Sequence, residues 1–270
     1  MANVMATIAR LLLYVAAMMA MGDVCAQRLR GAAWHSPFAT GRRQFLLIAW
    51  LAGLTALLMM FVLQFLALDL ALTFDDVAML VRQTTWGNGW LVLAALALAG
   101  VATTLGRATL AWQLVVAAAF AVAMGGLGHA AADDTGPLLS RFFDAIHVLG
   151  VTVWLGTLLC LSMEATMISW ERFSAMATVA APLSILSGLG SAWRRVGAAT
   201  VTQTIGSDYG RLLAIKLAIV VLILLLGAWH RQRMRAQQLP TAGSVRFELT
   251  LALLALGATA LLTGTAPPGD

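Results

Sequence analysis

The sequence predicts an all-α polytopic membrane protein of eight transmembrane helices with both termini outside, and three observations carry that prediction. Hydrophobic residues make up 61% of the 270 and charged residues 11%, and mean hydropathy is +0.87, more apolar surface than a soluble core of this length buries. Apolar runs near the ~20 residues needed to cross a ~30 Å hydrocarbon layer recur eight times. The arginines gather in connections between those runs, where they set orientation.

The runs lie at about 4–22, 44–66, 88–105, 109–130, 142–163, 173–193, 211–229 and 247–265. The first could be a secretory signal, since Arg10 precedes a Leu/Ala/Met run. Asp23-Val24-Cys25 supplies no A-x-A-like cleavage site, so the run is expected to stay as a helix. The first connection carries Arg28, Arg30, Arg42 and Arg43 against Asp23, the third Arg107, and the seventh Arg231, Arg233, Arg235 and Arg246. The odd connections are therefore predicted to be cytoplasmic. On the other side Asp69, Asp75 and Asp76 oppose Arg82, and Asp133 and Asp134 precede Arg141. Glu164, Glu171 and Arg172 are placed inside. Arg194, Arg195 and Asp208, placed outside, are the exception to the charge rule. The net charge of +5 is thus a matter of loop charges and not of nucleic-acid binding. Cys25, in a predicted loop, and Cys160, in a predicted helix, do not read as a disulfide. No linker or low-complexity segment divides the chain, and 1–270 reads as one transmembrane domain.

Asp144 and His147 stand three residues apart at the head of the fifth run and share a helix face, with Trp154 seven residues further on that face. Ionisable groups in such segments normally line a bundle interior or a water-filled path. His129 ends the fourth run, and Tyr209 and Lys216 share a face of the seventh. With Arg10, these groups are expected in the outer half of the membrane, the inner half holding almost none. Two imidazoles and a carboxylate, with Asp133 and Asp134 in the entrance loop, suit copper in either oxidation state, while thioethers favour Cu(I). Candidate thioethers are Met5, Met59, Met60, Met163 and Met167 among the thirteen methionines. Blander readings stand beside these: His129 as an interfacial cap, Asp144 as a helix-start carboxylate beside a satisfied histidine, Lys216 snorkelling to the surface, and Trp154 as packing. His35 and His230 read as loop residues among arginines. Ser187-Gly188-Leu189-Gly190-Ser191 reads as a site of close helix packing.

Gly128-His129-Ala130-Ala131, Asp144-x-x-His147 leading into Val153-Trp154-Leu155-Gly156, Arg172-Phe173-Ser174, Ser187-Gly188, and Tyr209-Gly210-Arg211-Leu212-Leu213-x-x-Lys216-Leu217 together resemble the copper resistance protein D (CopD) family, over about 129–230. The resemblance implies an eight-helix bacterial inner-membrane protein, in which the termini that the arginines place outside would be periplasmic. Such a protein works with a periplasmic CopC-like copper-binding protein and brings copper into the cytoplasm. It makes His129, Asp144 and His147 the copper-handling residues, with Lys216 and Tyr209 supporting them. In that picture Asp144 orients His147 or neutralises metal charge, and copper arrival displaces an Asp144–Lys216 ion pair.

Two other function classes fit the same residues. One is a membrane redox protein holding haem b between His129 and His147; the other is a copper-binding scaffold or sensor that transports nothing. Phosphate-cradling glycine loops, nucleophile elbows and His-Glu-x-x-His helices are missing from the sequence. Hydrolytic enzymes and nucleotide-driven pumps are not expected.

Overall fold

The structure is a computed structural model that describes residues 2–30, 39–70, 73–127, 137–162, 167–197 and 201–266. Its helices are α1 (Ala2–Arg30), α2 (Ala39–Ala67), α3 (Phe74–Gln83), α4 (Thr85–Leu105), α5 (Leu110–Met124), α6 (Pro137–Leu161), α7 (Met167–Val196), α8 (Val201–Gly206), α9 (Asp208–Arg235) and α10 (Ala242–Leu262), with no strand among the described residues. Seven of them, α1, α2, α4, α6, α7, α9 and α10, are long and apolar enough to cross a membrane. The chain is a multi-pass membrane protein.

The predicted span 109–130 is shorter than expected. α5 has 15 residues, about 22 Å at 1.5 Å each. It ends where Gly125 turns its N–H back to the carbonyls of Ala123 and Val122. Elsewhere the helices run past the predicted spans, because continuing the helix keeps every backbone group paired where water is scarce. α1 takes in Asp23 and Cys25, α7 takes in Arg194 and Arg195, and α9 takes in His230 through Arg235. Both cysteines are free, Cys160 buried and Cys25 half-buried in a helix instead of a loop.

The connection carrying Asp75 and Asp76 is itself a helix. Thr73 caps α3 by accepting from the Asp76 N–H at 3.2 Å, and the two acids in the first turn and Arg82 in the last complement its dipole. Thr84 then caps α4, accepting from Gly87 N–H at 2.8 Å. Gly87 is needed there, since a Cβ would sit 2.0 Å from the Leu80 carbonyl oxygen.

α1 is the shared wall of two cores. Leu13, Ala17, Ala20 and Met21 face a cluster with Trp50, Leu57, Leu93 and Phe120 of α2, α4 and α5. Met18 and Ala26 face a second cluster with Leu158, Trp170, Ile223 and Leu251 of α6, α7, α9 and α10. α1 and α6 approach closely at Gly22 and Gly156: a Cβ on Gly22 would lie 2.0 Å from the Gly156 oxygen, and one on Gly156 would lie 2.4 Å from the Met18 oxygen. Small residues permit such contacts in membranes.

Polar contacts mark the two ends of the bundle. At one end Arg30 donates to the Cys160 carbonyl at 3.2 Å, Arg172 to the Leu29 carbonyl at 2.8 Å, and Arg42 to Asp23 at 2.7 Å. At the other, Asp144 pairs with Arg195, and Arg10 approaches the Ala260 carbonyl at 3.5 Å. α1 and α6 therefore run one way and α2, α7 and α10 the other.

Candidate metal site

A cavity of about 640 Å³ lies at the end of the bundle where α1 begins and α10 finishes. Asp144, His147 and Trp154 of α6 line it with Tyr209 and Lys216 of α9, Arg10 of α1 and Arg195 of α7. The structure thus gathers five of the six sequence-predicted site residues around one space. The sixth, His129, lies outside the described residues, as do His35, Asp133, Asp134 and Met163. Among the described residues no group of three His, Cys, Asp or Glu side chains clusters closely enough to hold a metal.

His147 is fixed from α7. Its Nδ1 lies 2.7 Å from the Ser184 carbonyl oxygen. A carbonyl only accepts, so Nδ1 carries the proton and donates it, and Nε2 is left with its lone pair for a ligand. Nε2 has no hydrogen-bond partner among the described residues. The ring rests against Gly188, where a Cβ would come 2.7 Å from Nδ1. The glycine stretch expected to pack two helices serves here to admit an imidazole. Gly188→Ala is expected to push the ring off the Ser184 carbonyl and weaken metal binding roughly tenfold, the scale of losing the partner that orients a ligand. Copper titration of the purified variant checks this, and wild-type affinity would exclude the role.

Asp144 does not orient His147, nor does it form the expected pair with Lys216. Its Oδ2 takes a hydrogen bond of 2.6 Å from Arg195, the two side chains being 13% and 21% exposed. Arg195 was expected in a loop; one further helical turn of α7 brings it within reach of α6. That pairing takes Arg195 out of the loop charges, while Arg194 donates to the Ser140 hydroxyl at 2.7 Å and keeps its charge at this end. Tyr209 is 2% exposed and hydrogen-bonds Arg195. Lys216 has no ion-pair or hydrogen-bond partner among the described residues. Trp154 is 6% exposed and belongs to the core while one edge lines the cavity.

Three thioethers line the same space, Met18, Met60 and Met124. The sequence pointed to Met60; Met18 and Met124 carry no local signal, since each is an ordinary apolar helix residue until the bundle turns it inward. Ser184 was equally hidden, because it acts through a backbone carbonyl.

The far half of the bundle is more polar than expected. Arg42 bridges Asp23 and Gln113, at 2.8 Å from each. His230 is buried, with Nδ1 2.9 Å from Glu248 and Nε2 2.9 Å from the Ser244 hydroxyl. It is thus a packed helix residue and not part of a loop. Arg233 stacks over Trp229, 5.1 Å from the ring centroid.

Residues 168–262 match the family model of copper resistance protein D. The match covers less than half of the chain. The matched region comprises α7 through α10 apart from the first residue of α7, overlaps the expected 129–230 from 168 onward, and supplies Ser184, Gly188, Arg195, Tyr209 and Lys216 to the cavity. Asp144 and His147 stand before it, on α6, which packs against α7 of the matched region. No curated protein and no solved structure matches the chain.

Proposed function

We propose that this protein carries copper across the bacterial inner membrane, from periplasm to cytoplasm, through the cavity at His147. The observation that carries the reading is the fixed imidazole: Nδ1 is held by the Ser184 carbonyl, and Nε2, without a hydrogen-bond partner among the described residues, stands beside a cavity that also presents Met18, Met60 and Met124. Imidazole with thioether is a donor set for Cu(I), and Asp144 adds a carboxylate that would tolerate Cu(II). The CopD match over 168–262 supplies the association with copper. His129 completes the ligand set from the segment before α6.

In this reading the cavity faces the periplasm and receives copper from a separate CopC-like protein. Arg28, Arg30, Arg42, Arg43, Arg172, Arg231, Arg233 and Arg235, at the other end, support a cytoplasmic placement of that end. Counting α5, eight helices then traverse the membrane as one domain over 1–270, with both termini periplasmic. Copper arriving at His147 is attracted by Asp144 and resisted by Arg195, so the Asp144–Arg195 pair sets how readily the carboxylate turns to the metal.

Cell-associated copper tests the proposal, measured at matched expression for wild type, His129→Ala, His147→Ala and empty vector. Wild type is expected to accumulate copper above the vector level, and both variants to lose that excess. Equal accumulation in wild type and empty vector would sink import.

A further inference from the structure

Among the described residues the cavity lining holds a charge imbalance that copper does not resolve. Its described lining contains three cations, Arg10, Arg195 and Lys216, and one carboxylate, Asp144. Asp144 is already engaged with Arg195 at 2.6 Å. Among the described residues the one hydrogen bond of Arg10 is to the Ala260 carbonyl, at 3.5 Å. Lys216 makes no hydrogen bond or ion pair among the described residues, and it shares the field of Asp144 with Arg195. Cations in such surroundings are stabilised by a nearby anion, and a bare copper ion would be repelled by both.

Size and lining say what kind of anion fits. About 640 Å³ falls in the range of pockets for small organic ligands and far exceeds the space of one inorganic ion. Most of the remaining wall is apolar, including Leu13, Leu63, Val148, Val151, Leu213 and Val220. Such a wall gains from an apolar body and nothing from a hydrated ion. α9 packs chiefly on α10 and α8, and Val148 and Val151 of α6 line the same cavity as Lys216.

We propose that the cavity binds an anionic membrane amphiphile, its phosphate or carboxylate head met by Arg10 and Lys216 and its acyl chain lying along the apolar wall. The bound oxyanion offsets the two cations and makes the space beside His147 hospitable to a metal cation. Amphiphile binding itself does not depend on the copper reading, so either can fail without the other.

Native mass spectrometry of the full chain tests this, after detergent washing and titration with dioleoylphosphatidylglycerol, oleate or zwitterionic dioleoylphosphatidylcholine. Wild type is expected to bind one anionic molecule about tenfold more tightly than phosphatidylcholine, the scale of a charge-assisted hydrogen bond. Lys216→Met and Arg10→Gln are each expected to erase that preference, Lys216→Arg to keep it, and Arg43→Gln, at the opposite end, to leave it unchanged. Preference for phosphatidylglycerol over oleate assigns a phosphate head, and the reverse a carboxylate head. Gel filtration reports folding, and thermal stabilisation of wild type by phosphatidylglycerol, lost in Arg10→Gln, gives a second readout. Equal binding of anionic and zwitterionic lipid, an unchanged preference in both Arg10→Gln and Lys216→Met, or one porphyrin per purified chain in its optical spectrum overturns the proposal.

Discussion

Arg195→Met is expected to destabilise the protein by about 3 kcal/mol, because it leaves Asp144 without its counter-ion in a mostly buried position. The carboxylate would keep 13% of its side-chain surface exposed, too little to be hydrated as in water. Removing both charges should recover most of the loss, since two apolar side chains in place of a buried pair leave no orphaned charge. Denaturation midpoints in detergent for Arg195→Met, Asp144→Leu and the double variant give the coupling directly. A double variant no more stable than Arg195→Met would show that the arginine acts through its packing and not its charge. The ion pair ties α6 to α7, so the same variant should also loosen the hold of Ser184 on His147.

The second large effect is expected at the α1–α6 crossing. Gly22→Val would place a Cβ 2.0 Å from the Gly156 carbonyl oxygen, and that atom is backbone on both sides, so no side chain can turn away. The helices must separate, at a cost of about 3 kcal/mol or more. Gly257→Ala serves as the comparison, because an added Cβ there meets nothing within 4 Å. It is expected to be neutral or slightly stabilising, alanine being the better helix former. Thermal unfolding of both variants decides, and a Gly22→Val protein as stable as wild type would mean that the two helices do not pack as closely as described. Because α1 borders both cores, the damage should reach the α2–α4–α5 side as well as the α6–α10 side.

The helices were legible in the sequence because lipid imposes one simple requirement, length and apolarity, and each predicted run has a helix at its place. The ends were less legible. Arg195 and His230 read as loop residues, since a charged or polar residue after an apolar run normally marks the water boundary. Here each is held inside the bundle by a partner on another helix, Asp144 and Glu248 respectively, and no local pattern announces such a partner. α3 had a usable signal that length-based reading passes over, a Thr73-x-x-Asp76 cap before a short amphipathic stretch. At the site, the shared face of Asp144 and His147 was visible from spacing, and so was that of Tyr209 and Lys216. What those side chains bind was not: the assignment of Asp144 to Lys216 failed because Arg195 lies nearer, and the Ser184 carbonyl leaves no trace in side-chain identity.

The shortness of α5 bears on the bilayer itself. An apolar helix of about 22 Å beside neighbours of 21 to 29 residues presents a mismatched belt, and hydrocarbon meeting it must thin or tilt to avoid contact with polar backbone. Met124, its last residue, lines the cavity, so the dimple in the lipid would fall beside the proposed metal site. An ion leaving that point for the opposite face would then have a thinner dielectric layer to cross than it would elsewhere around the protein, and membranes of shorter acyl chains should accommodate the protein with least distortion.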